Sequence, residues 1–557
     1  MRTRVAAALL TAAATAGAVA LVGRASGPVV PPGGTAQARQ VAVVGPPALP
    51  RPRAQARPDI VLIMVDDMRD DDLRFMPHTR RLIRDQGVRF VNAFSPYPWC
   101  CPARASVLSG LYTHNHGVWT VHYDYGFHAF DDRFTLATML HRAGYATILL
   151  GKYLNRYGQA PPHGRTSGNS LHYVPPGWDE WRASLDGGFL PGSPYQGNTY
   201  SYYDTTLSVD GRGFQPLEGR YQTRAYGEIA RRVISSRAAS PQPFFLYLAF
   251  SAPHVGHPYE PDDPPPTYDA HGTEHIWRTP VRPPDVKGRW DRVVTAAPGR
   301  SWRDPHFAGK PRYLRQRPAL GRSEWSALRE LTRQRAEALT VVDQQVRALL
   351  QTLARTGELD DTLVVFTSDN GYFLGEQHMR QGKIYPQEPS LRVPLLMRGP
   401  GIPAGGTRHD PFTSIDFLPT LASAAGTTPE RRPDGISLWR VARHGDTGWR
   451  RGILTETGAL GQPPRDTDMA GLPLALGNPQ DIRFLIGVRT PRYLYVDVAH
   501  ERDELYDLRR DPREYTNQIG NPRYARVRAL LEAELVRLRD CRGATCSAPL
   551  PRPLQRR

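Results

Sequence analysis

Long apolar runs and nucleic-acid-binding modules are both scarce in this sequence. After the apolar stretch from Val5 to Val22, no segment is long and apolar enough to cross a bilayer. The net charge of +17 comes almost entirely from arginine, because lysine occurs only at positions 152, 287, 310 and 383. No basic module interleaved with aromatic residues accompanies that charge, so nucleic-acid binding is not expected. We interpret the charge as a solvated basic surface that attracts polyanions.

The N-terminal residues differ in composition from the rest of the chain. Arg2 and Arg4 precede the apolar run, which has the layout of a secretory signal peptide over residues 1–25. An uncleaved membrane anchor is the alternative, because the run is near the length that spans a bilayer. Residues 26–57 are rich in Pro, Ala, Gly and Arg and are predicted to be a flexible linker. We therefore expect a secreted or extracytoplasmic protein, with no stable membrane insertion after signal cleavage.

Cysteine is also rare, with 4 residues in the chain. Cys541 and Cys546 lie close together near the C-terminus, and a local disulfide is the simplest interpretation in an exported protein. Cys100 and Cys101 are adjacent, and a buried thiol pair or a vicinal disulfide would be structural explanations for them.

Short apolar runs that alternate with helical patterns indicate the fold class. The runs that fit parallel strands buried on both faces are Ile60–Val65, Ala146–Leu150, Phe244–Phe250 and Leu363–Thr367. The clearest amphipathic helix extends from about Ser323 to Ala354. This alternation predicts an α/β fold over residues 58–430, with a large, mostly parallel central sheet flanked by helices.

The remainder of the chain predicts accessory structure. Residues 157–219 and 258–312 are rich in Gly or Pro and are predicted to be long insertions that form walls of a cleft. Residues 431–547 are predicted to form a small C-terminal α+β subdomain with an antiparallel sheet. The last segment, 548–557, is predicted to be a disordered tail.

Acidic and amide side chains follow two of the predicted strands. Asp66 and Asp67 come directly after the first strand, and Asp369 and Asn370 follow the fourth. Ligand sites in such sheets form at the carboxyl ends of the strands. A set of oxygen ligands suits Ca²⁺ or Mg²⁺. Taken alone, however, an Asp-Asp pair also caps helices, and Ser-Asp-Asn-Gly also forms turns.

Two of the rare lysines and a histidine occupy similar positions. Lys152 follows the strand Ala146–Leu150, and Lys383 lies in Gly-Lys-Ile-Tyr. A lysine ammonium binds an oxyanion as a compact point charge, which arginine does not replace. His254 follows the third strand and could protonate a leaving oxygen or bind an anion. Each of these residues alone is also consistent with an ordinary surface or structural role.

Cys100 lies at the predicted start of a helix. Pro102 is favoured in a first helical turn, so we predict a helix from about residue 102 that ends by Gly110. Its free N–H groups and dipole favour an anion such as sulfate beside the two cysteines.

The run Cys100-Cys101-Pro102-Ala103-Arg104 resembles the Cys-x-Pro-x-Arg signature of the sulfatases, and the similarity extends from about Pro58 to Cys546. Further blocks that match the family are Asp66-Asp67, Gly144-Tyr145 with Gly151-Lys152, Pro253-His254, Ser368-Asp369-Asn370-Gly371, Gly382-Lys383, Arg392-Val393-Pro394-Leu395 with Gly399-Pro400-Gly401, Asp416-Phe417-Leu418-Pro419-Thr420, and Glu504-Leu505-Tyr506-Asp507-Leu508 with Asp511-Pro512. Within the family the chain is most similar to the N-acetylglucosamine-6-sulfatase and arylsulfatase branch.

The resemblance implies an alkaline-phosphatase-like fold and hydrolysis of sulfate esters, on sulfated sugars or aryl sulfates. A formylglycine-generating enzyme would convert Cys100 to formylglycine (3-oxoalanine), whose hydrated aldehyde is the nucleophile. The ligands implied for a divalent cation, Ca²⁺ or alternatively Mg²⁺, are Asp66, Asp67, Asp369, Asn370 and modified Cys100. The residues implied to bind the sulfate or orient the nucleophile are Lys152, Lys383, His254 and Arg104.

One position departs from the family pattern. Many sulfatases have a histidine two residues after the lysine of the Gly-Lys block, where this chain has Leu154. We hypothesise that His116 or Asn155 partly fills that role, because both are close in sequence to the site residues. Two other functions remain alternatives: a phosphonate or phosphate monoester hydrolase of the same superfamily, and an inactive secreted protein that binds sulfated glycans.

Overall fold

The computed structural model describes residues 57–121, 125–195, 197–238, 240–302, 306–457 and 485–555. The predicted signal peptide, and the predicted linker up to residue 56, lie outside the described residues. In the described part, no helix has both the length and the apolar character needed to cross a bilayer.

The described elements alternate between strands and helices. The strands are β1 (Asp59–Val65), β2 (Val88–Phe90), β3 (Ala93–Phe94), β4 (Ala146–Lys152), β5 (Glu180–Ser184), β6 (Thr206–Val209), β7 (Gly213–Pro216), β8 (Phe244–Ala249), β9 (Thr267–Tyr268), β10 (Glu274–His275), β11 (Thr362–Ser368), β12 (Leu395–Arg398), β13 (Gly406–Arg408), β14 (Phe412–Thr413), β15 (Ile453–Thr457), β16 (Leu485–Arg489), β17 (Tyr493–Val498) and β18 (Glu504–Asp507). The α-helices are α1 (Pro77–Thr79), α2 (Cys100–Ser109), α3 (Thr113–His116), α4 (Leu136–Arg142), α5 (Gln222–Arg237), α6 (Arg312–Arg315), α7 (Arg322–Thr356), α8 (Glu388–Leu391), α9 (Phe417–Ala424), α10 (Trp439–His444) and α11 (Ala525–Leu538).

A ten-stranded sheet forms the centre of the fold, in the order β13-β2-β12-β11-β1-β8-β4-β5-β6-β7. Its middle strands, β11 to β5, pair in parallel, and antiparallel pairings occur toward both edges. The strands predicted from apolar runs are β1, β4, β8 and β11. The predicted fold class is therefore confirmed.

Strand β1 shows why a continuous apolar run suits this position. Ile60, Leu62 and Met64 face one hydrophobic cluster, which also contains the apolar residues of α2, α4 and α9. The alternate residues, Val61, Ile63 and Val65, face a second cluster with α5 and α7. Because successive side chains of a strand point to opposite faces, a strand covered by helices on both sides must be apolar throughout.

A four-stranded antiparallel sheet, β15-β16-β17-β18, forms the predicted C-terminal subdomain together with α11. Leu438, Val441 and Ala442, which lie within the predicted range 431–547, belong to the hydrophobic cluster on one face of the central sheet. The predicted disordered tail is a further difference: Leu550 and Leu554 are buried against the subdomain. Burial of these two leucines supplies the stabilisation that the sequence pattern of the tail does not show.

The disulfide between Cys541 and Cys546 is present, whereas Cys100 and Cys101 are buried free thiols. The vicinal disulfide considered for the second pair is therefore not formed.

A buried carboxyl group at the contact with the C-terminal subdomain makes stability depend on pH. Glu514 is 0% exposed, and its Oε1 accepts a hydrogen bond from the Glu388 backbone N–H at 3.2 Å. Burial raises the pKa of Glu514 well above its ordinary value, and the Glu388 carboxylate raises it further. A pKa raised by folding means that the group stabilises the fold below its unfolded pKa, and that this contribution is lost as the pH rises through the folded pKa.

We therefore expect Glu514→Gln to be more stable than the native chain at pH 8, because the amide carries no charge that burial would penalise. The advantage should disappear near pH 4, where native Glu514 is protonated. Thermal unfolding across this pH range measures the difference, with Glu532→Gln on the surface as the control. Equal stability of the native and Glu514→Gln proteins at pH 8 would contradict the prediction.

Candidate active site

The carboxyl ends of four parallel strands bring the predicted site residues together. Val65 at the end of β1 pairs with Ser368 of β11, so Asp66 and Asp369 emerge side by side. On the other side of β1, strand β8 leads to His254, and β4 extends as far as Lys152. Lys152 is thus the last residue of β4, whereas the sequence analysis placed it after the end of the strand.

Helix α2 places Cys100 at this edge of the sheet. The helix begins at Cys100, two residues before the predicted start, and ends at Ser109, followed by Gly110 in the left-handed conformation. Pro102 fits this longer helix because no N–H in the first turn has an intrahelical partner. Cys100 therefore lies in the first turn, where backbone N–H groups are available to an anion.

The Cys100 thiol lies between groups of opposite charge. Its Sγ lies 2.9 Å from Lys383 Nζ and donates a hydrogen bond to Asp66 Oδ1 at 3.4 Å. Burial raises the pKa of the thiol well above its ordinary value, and the Asp66 carboxylate raises it further. The sulfur is therefore protonated at neutral pH and is a poor nucleophile in its unmodified form.

The two adjacent aspartates each pair with a lysine. Asp66 Oδ2 accepts a hydrogen bond from Lys152 Nζ, and Asp67 Oδ1 accepts one from Lys383 Nζ. Burial alone raises the pKa of both carboxyls, but for Asp66 the Lys152 ammonium and for Asp67 the Lys383 ammonium hold it below its ordinary value. Both aspartates are therefore ionised inside a buried site.

His254 faces the same carboxylates. Its Nδ1 donates to the Val255 backbone carbonyl at 2.7 Å, which directs Nε2 toward Asp67 Oδ2 at 3.6 Å. The ring stacks on Tyr200 with centroids 4.6 Å apart. These contacts fix the ring with Nε2 toward the site.

Arg104 connects two strand ends. Its Nε donates to Asp369 Oδ2 at 2.8 Å, and its NH1 donates to the Lys152 backbone carbonyl at 3.0 Å. Its NH2 lies 3.8 Å from Asp66 Oδ2. Asp369 Oδ1 also accepts the backbone N–H groups of Asp67 and Asn370. The guanidinium and Asp369 thus fix the floor of the site as one hydrogen-bonded unit.

The oxygens at the centre of this arrangement suit a divalent cation. One ligand atom from each of Asp66, Asp67, Cys100 and His254 lies within 4.8 Å of the others. Among the described residues, Asp67 Oδ2 and Asn370 Oδ1 are buried without a hydrogen-bond partner. Asp67 also has φ of 65°, in the left-handed region that few non-glycine residues adopt. Buried carboxylate and amide oxygens are ligands that Ca²⁺ and Mg²⁺ prefer, so the donor set fits.

A cleft with a volume of about 390 Å³ opens above this floor. Cys100, His254 and Lys383 line its base, and both predicted insertions contribute to its walls. Lining residues that the sequence analysis did not identify are Trp99, Val121, Arg156, Gln159, Asp186, Asn198, Tyr200, Val255, Gly256, His257, Tyr259 and Arg278. The insertions lack the periodicity that would have indicated which of their residues face inward.

We considered His116 and Asn155 as replacements for the family histidine, and the structure distinguishes between them. Ring atom Nδ1 of His116 accepts the Val118 backbone N–H at 3.0 Å, so Nε2 carries the proton and donates to Ser106 Oγ at 3.0 Å. Burial lowers the pKa of His116 to about 3. Both ring nitrogens are thus used within the fold, and the His116 hypothesis is wrong. Asn155 lines the cleft and donates from Nδ2 to the Tyr200 hydroxyl at 2.7 Å.

We expect Asn155→Ala to lower kcat for an aryl sulfate by about 10- to 100-fold, the effect of losing one hydrogen bond to a charged group. Exposed Asn169→Ala is the matched control and should keep the native rate. If Asn155→Ala stays within twofold of the native rate, Asn155 does not fill the role of the family histidine.

Comparison with known proteins agrees with this geometry. Residues 58–427 match the family model described as Sulfatase. The chain is 32% identical over 397 residues to the extracellular sulfatase SULF-1 homolog of Drosophila melanogaster, which covers 69% of this chain and 31% of that protein. It is 28% identical over 522 residues to human N-acetylglucosamine-6-sulfatase, covering 88% of this chain and 86% of that protein.

The fold also has a close match among solved structures. A protein solved in complex with its substrate D-glucosamine-2-N,6-O-disulfate superposes with a TM-score of 0.64 at 22% sequence identity. The match covers 86% of this chain and 97% of the other. The fold is therefore shared with this protein.

Proposed function

The chain belongs to the sulfatase family, and from this we propose that it hydrolyses sulfate esters with a formylglycine nucleophile made from Cys100. The observation that carries the proposal is the position of Cys100 Sγ, between the Lys383 ammonium and the Asp66 carboxylate at the base of the cleft. An unmodified thiol there is protonated and poorly nucleophilic, whereas an aldehyde hydrate would supply a hydroxyl group at the same position.

The proposed cation would be held by Asp66, Asp67, Asp369, Asn370 and modified Cys100. Bound there, Ca²⁺, or alternatively Mg²⁺, would act as a Lewis acid that offsets charge on the sulfate oxygens. Asp369 would serve through Oδ2, which accepts one hydrogen bond from Arg104 and keeps a second lone-pair position, whereas Oδ1 already accepts two. Among the described residues, the unpartnered oxygens of Asp67 and Asn370 support this ligand set.

The remaining side chains would bind the ester and direct its cleavage. Lys152 and Lys383 would place two ammonium groups beside the sulfate oxygens, where burial strengthens each charge interaction. The Val255 carbonyl accepts the Nδ1–H of His254 and leaves Nε2 facing the site, so a proton delivered to the leaving alcohol oxygen would be carried at Nε2 of the imidazolium form. Arg104 would fix the positions of the Asp369 carboxylate and the Lys152 backbone carbonyl through its hydrogen bonds to both.

We further propose that the substrates are sulfated sugars and that the protein is exported. Tyr259 lines the cleft and is 55% exposed, so its ring offers an apolar face to a cyclic alcohol. A relative named as an extracellular sulfatase and another named as an N-acetylglucosamine-6-sulfatase support both statements. A formylglycine-generating enzyme would be a partner during maturation.

Relative turnover of an aryl sulfate and an aryl phosphonate tests the function. We expect kcat/KM for 4-nitrophenyl sulfate to exceed that for the phosphonate monoester by at least about tenfold, because a sulfate ester offers three terminal oxygens to Lys152, Lys383 and the cation, whereas a phosphonate monoester offers two and must place a carbon substituent there. Faster phosphonate cleavage would favour the phosphonate hydrolase alternative. Sulfated-glycan binding without turnover, together with an unmodified Cys100, would favour the inactive binding protein.

A further inference from the structure

Two arginines line the cleft outside the residues assigned to the sulfate ester. Arg156 lies shortly after the end of β4, and Arg278 belongs to the second insertion. Both side chains are half-buried, so their charges are accessible to a ligand and less screened than on an open surface. The one acidic residue among the cleft-lining residues is Asp186, so the outer cleft carries a net positive charge.

The backbone of Arg156 is held in an unusual conformation. Its φ is 72°, in the left-handed region, and its N–H donates to Asp186 Oδ2 at 2.7 Å. Its NH1 donates to Gln159 Oε1 at 3.0 Å, which fixes the guanidinium on another lining residue. Non-glycine residues in this region cluster at ligand sites, where surrounding contacts offset the strain.

Arg278 forms a backbone hydrogen bond to the segment that carries Lys383. Its backbone N–H donates to Gln381 Oε1 at 3.4 Å. Burial lowers the pKa of His257, and the Arg278 charge lowers it further, so these two lining residues are electrostatic neighbours. Arg278 thus presents a positive charge beside a neutral imidazole in the cleft wall.

We propose that Arg156 and Arg278 form a second anion-binding subsite, which selects sugars that carry a second sulfate group besides the ester that is cleaved. The proposal rests on the proposed function of the cleft. A volume of about 390 Å³ exceeds the space that one sulfate needs and is in the range for small-molecule sites. Guanidinium groups bind such oxyanions with paired hydrogen bonds, so the second group would add affinity and not only steering.

Binding to a Cys100→Ala protein in the presence of Ca²⁺ tests the subsite without turnover. Calorimetry compares N-acetylglucosamine 6-sulfate with N-sulfoglucosamine 6-sulfate and N-acetylglucosamine 3,6-disulfate. We expect at least one disulfated sugar to bind about tenfold tighter than the monosulfated sugar, as for a gained charge-assisted hydrogen-bond pair. In the same background, Arg156→Gln and Arg278→Gln should each reduce this ratio to within about twofold of unity.

Arg220→Gln provides the matched control, because Arg220 pairs with Glu228 on the surface and should leave the ratio unchanged. Arg278→Lys should keep part of the preference, which a merely structural role would not predict. The proposal is overturned if the Cys100→Ala protein shows no preference, including the case in which none of the sugars binds, or if either glutamine variant keeps it. Failure of the proposed function would instead be seen as absent sulfate turnover by the native protein.

Discussion

We expect the Cys100→Ala variant to lose turnover of 4-nitrophenyl sulfate by about 10,000-fold or more, the scale seen when a nucleophile is removed from a preorganised site. Lys383 Nζ and Asp66 Oδ1 both contact the Cys100 sulfur, so the variant removes the group that they hold at the base of the cleft. In the native protein, the mass of the peptide that contains Cys100 should be lower by about 18 Da, the change for conversion of a thiol to an aldehyde.

The adjacent cysteine provides the matched control. Cys101 is 0% exposed, and burial raises its pKa to about 12, so it is an inert thiol in the core. Cys101→Ala removes a sulfur of the same helix turn and should keep turnover within about tenfold. Equal losses of turnover in the two variants would exclude formylglycine chemistry at Cys100. So would a fully active native protein whose Cys100 peptide has the unmodified mass.

The positions of the site residues were predictable because they follow directly from strands. A short, β-branched apolar run such as β1 favours a strand buried on both faces, and Asp66 then emerges at its carboxyl end. The same argument places Asp369 after β11 and His254 after β8. Parallel pairing of these strands brings the three residues to one edge without further information.

The walls of the cleft were not predictable in the same way. Arg156, Asp186 and Arg278 lie in segments without periodic hydrophobicity, so nothing in their sequence shows which side chains face the cleft. His116 shows the opposite error: it is close to Cys100 in sequence, but the short helix α3 directs its ring to Ser106. Sequence proximity does not specify a side-chain direction, which depends on the helix that carries the residue.

The second large effect is expected when the negative charge of Asp67 is removed. Asp67→Asn keeps the size of the side chain but removes the negative charge, which leaves the buried Lys383 ammonium without its carboxylate. We expect kcat/KM for 4-nitrophenyl sulfate to decrease by about 1,000-fold or more, since a lost metal ligand should cost more than the 10- to 100-fold of an outer-shell partner. Ca²⁺ affinity, measured by calorimetry, should fall by at least about 100-fold.

Asp71→Asn is the control, because Asp71 is an exposed partner of Arg69 in the following segment. If Asp67→Asn binds Ca²⁺ as tightly as the Asp71→Asn control, Asp67 is not a metal ligand, and its role is limited to pairing with Lys383.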